Sequence, residues 1–151
     1  MTCLNFIKRV FLILICLFSI LSCENSKYYK ETEYFKNYLK QEFNKEIPES
    51  KEHYFIIPNS GCRGCRNILL KFMLSKDFKE NCTGIISQPT DEILALIKDR
   101  KNILSDKNGV IDNLDLQTAV TVLINTDKKQ IINIIPLTGD NLDSLKEYFI
   151  K

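Results

Sequence analysis

The hydrophobic pattern of the chain changes abruptly within residues 54–73, and this change constrains the fold more than any other feature. Tyr54, Phe55, Ile56 and Ile57 form a continuous apolar run of strand character, which Pro58-Asn59-Ser60-Gly61 interrupts. Beyond the break Cys65, Ile68, Leu69, Phe72 and Met73 recur at the spacing of one helix face, with Arg66, Asn67 and Lys71 on the other faces. A strand over 54–58 therefore feeds a helix that should run to about Lys76. Cys62-Arg63-Gly64-Cys65 lies at the junction. Cys62 is expected at the helix N-terminus, where unpaired backbone N–H groups and the macrodipole favour a thiolate and where Arg63 and Arg66 add positive charge. Cys65, one turn in and on the packed side, is placed to resolve a mixed disulfide formed on Cys62. These two residues are the candidate catalytic pair.

The rest of the chain alternates in the same way. A second strand is expected over 83–88, giving a parallel strand-helix-strand unit, and Thr90 followed by Asp91 and Glu92 reads as a capped helix start. Ile93, Ile97 and Leu104 suggest one apolar helix face, and 105–113, with Asn108-Gly109, reads as a loop. Residues 119–125 and 130–136 are β-rich runs on either side of 126–129 and predict an antiparallel hairpin. Leu142, Leu145 and Phe149 after Gly139 predict a terminal helix. Ahead of this unit, Tyr34, Phe35, Tyr38, Leu39 and Phe43 mark an amphipathic helix that Ile47-Pro48 ends; docking on the domain is its expected role. The predicted fold class is α/β, with a central mixed four-stranded sheet flanked by helices in the order β-α-β-α-β-β-α and an added N-terminal helix.

At the N-terminus Lys8-Arg9, an apolar run over 10–21 and Ser22-Cys23 have the layout of a secretory leader. The run of about 12 residues is shorter than the roughly 20 that a spanning helix needs. Ile20-Leu21-Ser22-Cys23 resembles the lipobox of bacterial lipoproteins, with Ile where Leu is usual and Leu where a smaller residue is usual. The resemblance implies cleavage before Cys23, acylation of Cys23 and anchoring to a lipid bilayer. Glu24 is no obvious inner-membrane retention signal, which points to the outer membrane. The chain is thus divided into a leader over 1–22, a tether and amphipathic helix over 23–50, and a domain over 51–151.

Removing Lys8 and Arg9 from the 21 basic residues leaves 19, equal to the 19 acidic ones. The mature chain is formally neutral, and with five glycines and no phosphate-cradling loop it offers nothing to nucleic acid. Of six cysteines, Cys3 and Cys16 leave with the leader and Cys23 is lipidated, so Cys62, Cys65 and Cys82 remain. An odd count outside the cytoplasm suits a redox pair plus one extra thiol better than a disulfide-stapled framework. Cys82 opens the apolar run 82–86 and reads as a small core residue.

The element order, with CxxC at the first strand-to-helix junction, resembles the thioredoxin fold, and Ile56-Ile57-Pro58 with Gly61-Cys62-Arg63-Gly64-Cys65 is similar to the strand and GCxGC signature of small thioredoxin-like lipoproteins of the bacterial envelope. The resemblance implies a thiol-disulfide oxidoreductase without cofactor, acting on cysteine-containing envelope proteins or a redox partner protein, with Cys62 attacking and Cys65 resolving. The chain departs from the family in having Gly61 and no Trp before the first cysteine. It also has no proline in Gln117-Thr118-Ala119-Val120, where the family places a cis-proline; a non-proline cis bond costs about 2.5–4 kcal/mol, so this bond is expected to be trans. Two other readings stay open. One is a binding module whose CxxC is a structural disulfide, and the other is a metal-binding protein using Cys62, Cys65, Cys82 and the only histidine, His53. His53 itself is expected at the surface, about 17 Å from the cysteine pair if the strand is extended.

Overall fold

The computed structural model describes residues 27–116, 120–139 and 141. The leader, Cys23, the expected cis-proline position at 117–119 and the expected terminal helix over 142–149 lie outside the described residues. The elements are α1 (Tyr29–Phe43), β1 (Glu52–Ile57), α2 (Arg63–Leu74), β2 (Cys82–Ser87), α3 (Asp91–Ile97), β3 (Ile103–Asp106), a 3-10 turn (Val110–Asn113), β4 (Val122–Asp127) and β5 (Gln130–Pro136).

The strands make one mixed sheet in the order β3-β2-β1-β4-β5. β1, β2 and β3 run parallel, while β4 and β5 are antiparallel to their neighbours. β1 is central and covered on both faces, which is why it reads as an unbroken apolar run. Its side chains alternate all the same. Phe55 and Ile57 join Leu69 and Met73 of α2 and Ile97 of α3 on one face, while Tyr54 and Ile56 join Phe35, Tyr38 and Leu39 of α1 on the other. The result is three layers, helices over both faces of a sheet.

The sheet has five strands, not the four expected. Leu104 falls seven residues after Ile97 and so completes an apparent helix face, but α3 ends at Ile97 and residues 103–106 pair with β2 instead. Over so short an apolar stretch the helical and strand periods coincide. Arg100 helps to close the turn between them: its N–H bonds Ile97 O at 2.9 Å, and its guanidinium reaches Leu74 O at the end of α2. The segment read as a loop over 105–113 therefore holds the end of β3 and the 3-10 turn.

α1 is part of this core. Its C-terminus closes with Asn44 in the left-handed region (φ 50°), and Lys45 N–H bonds Leu39 O at 3.1 Å. Thr32 Oγ1 accepts the N–H of Ile131 at 3.0 Å, tying the helix to β5. Tyr38 donates its hydroxyl to Asp106 Oδ2 at 3.1 Å, and the same oxygen accepts Ile111 N–H at 2.8 Å. The β4–β5 turn places Lys128 and Lys129 at positive φ, 49° and 61°. Two-residue hairpin turns favour such angles but normally recruit Gly or Asn for them. Here Glu49 O and Pro48 O accept the N–H groups of Lys128 and Lys129 at 3.0 and 3.2 Å, so neighbouring backbone holds the conformation. On the other face, α2 lies so close to β2 that a Cβ at Gly84 would sit 3.0 Å from Met73 Sδ and Cε.

Candidate functional site

The site forms where β1 ends. After buried Pro58, Gly61 takes φ 121°, a value that glycine adopts without steric cost and that turns the chain into α2. Cys62 is the N-cap of α2, with extended φ and ψ of −66° and 114°. Its Sγ accepts the N–H of Cys65 at 3.5 Å, the part usually played by a Ser, Thr or Asp oxygen. Cys62 is exposed, whereas Cys65 is 8% exposed and packs into the α2 core layer.

These positions pull the two thiols apart electrostatically. Hydrogen bonding from the Cys65 N–H, then from the Cys65 side chain and the Gly64 N–H, holds Cys62 below the ordinary thiol pKa. Cys65 is raised, first because its side chain donates to Cys62, then by burial and by the Cys62 charge. The pair accordingly gives up its first proton from Cys62. The expected contribution of Arg63 and Arg66 is replaced by these hydrogen bonds. The two guanidinium side chains instead line a cleft of about 410 Å³ beside the cysteine loop.

Two loops at the carboxyl ends of the strands line that cleft, and a third braces them. Asn59 and Gly61 come from the β1–α2 loop, Gln88 and Thr90 from the β2–α3 loop, and Ile57, Ile86, Leu70 and Ile93 supply its apolar surface. Asp112 of the 3-10 turn fixes two of the loops together: its carboxylate accepts Ser87 Oγ at 2.6 Å and Asn59 N–H at 3.2 Å. Asn59 Nδ2 donates to Gln88 Oε1 at 2.7 Å, and Arg66 Nη1 donates to Asn59 O at 2.7 Å. Gln88 is itself held at φ 43°, its N–H on Asp106 O at 2.8 Å. Gly109 packs on its side chain so closely that a Cβ would come within 2.7 Å, and Gly109 also needs φ 68°. Asn59, Ser87, Gln88 and Asp112 are not site candidates from the sequence; the local signals there are only the Pro58-Asn59-Ser60-Gly61 break, the Thr90 cap and the Asn108-Gly109 turn, which mark loops and not a site.

The third cysteine and the histidine lie elsewhere. Cys82 is fully buried at the start of β2, in register with His53 at the start of β1. The cysteine pair follows the other end of β1, so the four proposed metal ligands do not converge, and among the described residues no group of three His, Cys, Asp or Glu side chains could hold a metal ion. His53 is half-buried, not a free surface residue, with Nδ1 2.7 Å from Asn125 Oδ1. Burial pushes the Cys82 thiol up to about 11 from 9.0. A folded-state pKa above the unfolded one gives stabilisation that is complete below about pH 9 and is lost as pH rises through about 11. Two pKa units correspond to about 3 kcal/mol. Denaturant titrations across this range should show the loss in the native chain and a flatter profile in Cys82→Ala; parallel profiles would place the alkaline instability elsewhere.

No family model, curated protein or solved structure matches the chain.

Proposed function

We propose that this chain is a thiol-disulfide oxidoreductase of thioredoxin-like architecture, anchored to the bacterial envelope through acylated Cys23 and acting on cysteine-containing envelope proteins. The observation that carries this reading is the asymmetry of the pair: an exposed Cys62 whose thiolate is stabilised at the start of a helix, and a buried Cys65 kept as a thiol one turn on. An exchange catalyst needs this division of labour, and a purely structural bridge does not.

In the reductive direction the Cys62 thiolate attacks one sulfur of a substrate disulfide. A Cys62–substrate disulfide forms and the other substrate sulfur leaves as a thiolate. Cys65 then gives its proton to that leaving thiolate or to solvent and attacks Cys62 Sγ. The Cys62–Cys65 disulfide forms, the second substrate sulfur is released, and two electrons have passed from the protein to the substrate. The oxidative direction is the reverse of these steps. The short reach from Cys62 Sγ to the first turn of α2, 3.5 Å to Cys65 N, keeps both thiols within one helical turn.

The reduction potential of the Cys62–Cys65 couple, measured by equilibration in glutathione buffers and alkylation, tests the proposal. A value well above about −300 mV is expected, marking an exchangeable couple. A value below it would make the bridge structural and leave a non-catalytic binding protein as the better reading.

A further inference from the structure

We infer that the cleft beside Cys62 recognises a carboxylate carried close to the reacting sulfur of the substrate. The inference rests on the exchange chemistry proposed above and adds the class of substrate it selects. The cleft, about 410 Å³, is large enough for a short stretch of peptide or a small thiol, and its lining includes both chain neighbours of Cys62, Gly61 and Arg63. A substrate whose sulfur meets Cys62 can therefore lay its adjoining groups along Arg63 and Arg66.

Among the described residues neither Arg63 nor Arg66 pairs with a carboxylate, and the pairs Lys36–Glu33, Lys40–Glu46 and Lys129–Glu49 all lie away from the cleft. Arg66 commits one N–H to Asn59 O, which fixes the side chain at the cleft wall and leaves the rest of its fork for a ligand. Asp112, which braces the cleft loops, is already satisfied by Ser87 and Asn59. Asp91 and Glu92 open α3 beyond Thr90 and are not part of the lining. Two guanidinium groups over an apolar floor of Ile57 and Ile86 suit a carboxylate on a short aliphatic stem, which each fork can bind through paired hydrogen bonds. That carboxylate can come from an Asp or Glu beside a peptide cysteine, or from a small carboxylated thiol.

The full-length reduced chain in neutral detergent should be mixed with two matched pairs of disulfides. One pair is a peptide disulfide with Asp or with Asn next to the cysteine; the other is glutathione disulfide or its fully esterified form. Initial exchange rates are compared as the ratio of acidic to neutral partner, so that any change in Cys62 reactivity cancels. A ratio on the order of ten is expected for at least one pair, falling toward one in Arg63→Gln and Arg66→Gln and shrinking with added salt. Arg63 is exposed, so its variant keeps the test valid even where Arg66→Gln disturbs the Asn59 loop. A preference confined to the peptides identifies an acidic protein segment, and one confined to glutathione identifies a small thiol; both support the inference. Ratios near one for both pairs, or a preference that survives both substitutions, overturn it while leaving exchange intact. Absence of exchange with all four compounds would instead remove the oxidoreductase reading on which it stands.

Discussion

Cys62→Ser is expected to reduce disulfide exchange to the uncatalysed background, whereas Cys65→Ser is expected to stop turnover after one step and accumulate a stable mixed disulfide on Cys62. The difference follows from where the two sulfurs sit. Cys62 is exposed and its thiolate is held by the Cys65 and Gly64 N–H groups, so it can react without its partner. Cys65 is buried against the α2 core layer, so a substrate disulfide cannot reach its sulfur to replace a missing Cys62. Alkylation separates the roles further. Because the folded-state pKa of Cys62 is lowered, its reaction with iodoacetamide should persist below the pH at which ordinary thiols fall silent. Cys65 should react only at higher pH, and still later while Cys62 carries its charge. Mass spectrometry of the quenched products reads both effects. An adduct that forms on Cys65 in Cys62→Ser, with none on Cys62 in Cys65→Ser, would reverse the assignment.

The cysteine pair was legible because it sits where a continuous apolar run gives way to a helical period, so that position, element and chemistry all agree at residues 54–73. The parallel unit and the hairpin were legible for the same reason, each being bounded by turn chemistry of its own. β3 was not. Ile103 and Leu104 can continue the Ile93–Ile97 face or pair with Gly84 and Ile85, and only the open edge of β2 decides for pairing. The cleft was hidden more deeply. Its walls come from the end of β1 and the loop after it, the first turns of α2, the end of β2 and the start of α3, and their closeness depends on β1 and β2 ending side by side, Ile57 opposite Ile86. Asp112 reaches this corner only because Asp106 anchors the chain at the end of β3 and Gly109 turns it back under Gln88. Such a convergence is a product of strand register and leaves no spacing signature in the chain. The Lys128-Lys129 turn illustrates the same limit, since its left-handed residues are supported by the backbone of 48–49 and not by their own preference.

The second large effect is expected far from the thiols. Phe35→Ala should destabilise the domain by about 3–5 kcal/mol, the usual cost of emptying a buried aromatic site. Phe35 is fully buried, meets Tyr54 of β1 edge-on with ring centroids 5.0 Å apart, and stacks on Tyr38 at 6.2 Å. Losing this ring loosens more than a local contact. Tyr38 donates to Asp106, Asp106 accepts the Ile111 N–H at the start of the 3-10 turn, and the next residue, Asp112, holds the Asn59 loop that leads into Cys62. α1 is therefore coupled through three hydrogen bonds to the cysteine loop, although it lies on the opposite face of the sheet. Denaturant unfolding of Phe35→Ala should remain one cooperative transition, with its midpoint lowered and its slope unchanged. A midpoint within about 1 kcal/mol of the native chain would instead make α1 a separable attachment, since exposed helices rarely contribute more at a single aromatic position. The Cys62 alkylation rate provides the second reading, because a loosened Asn59 loop should blur the preference for Cys62 over Cys65 before the sheet itself unfolds.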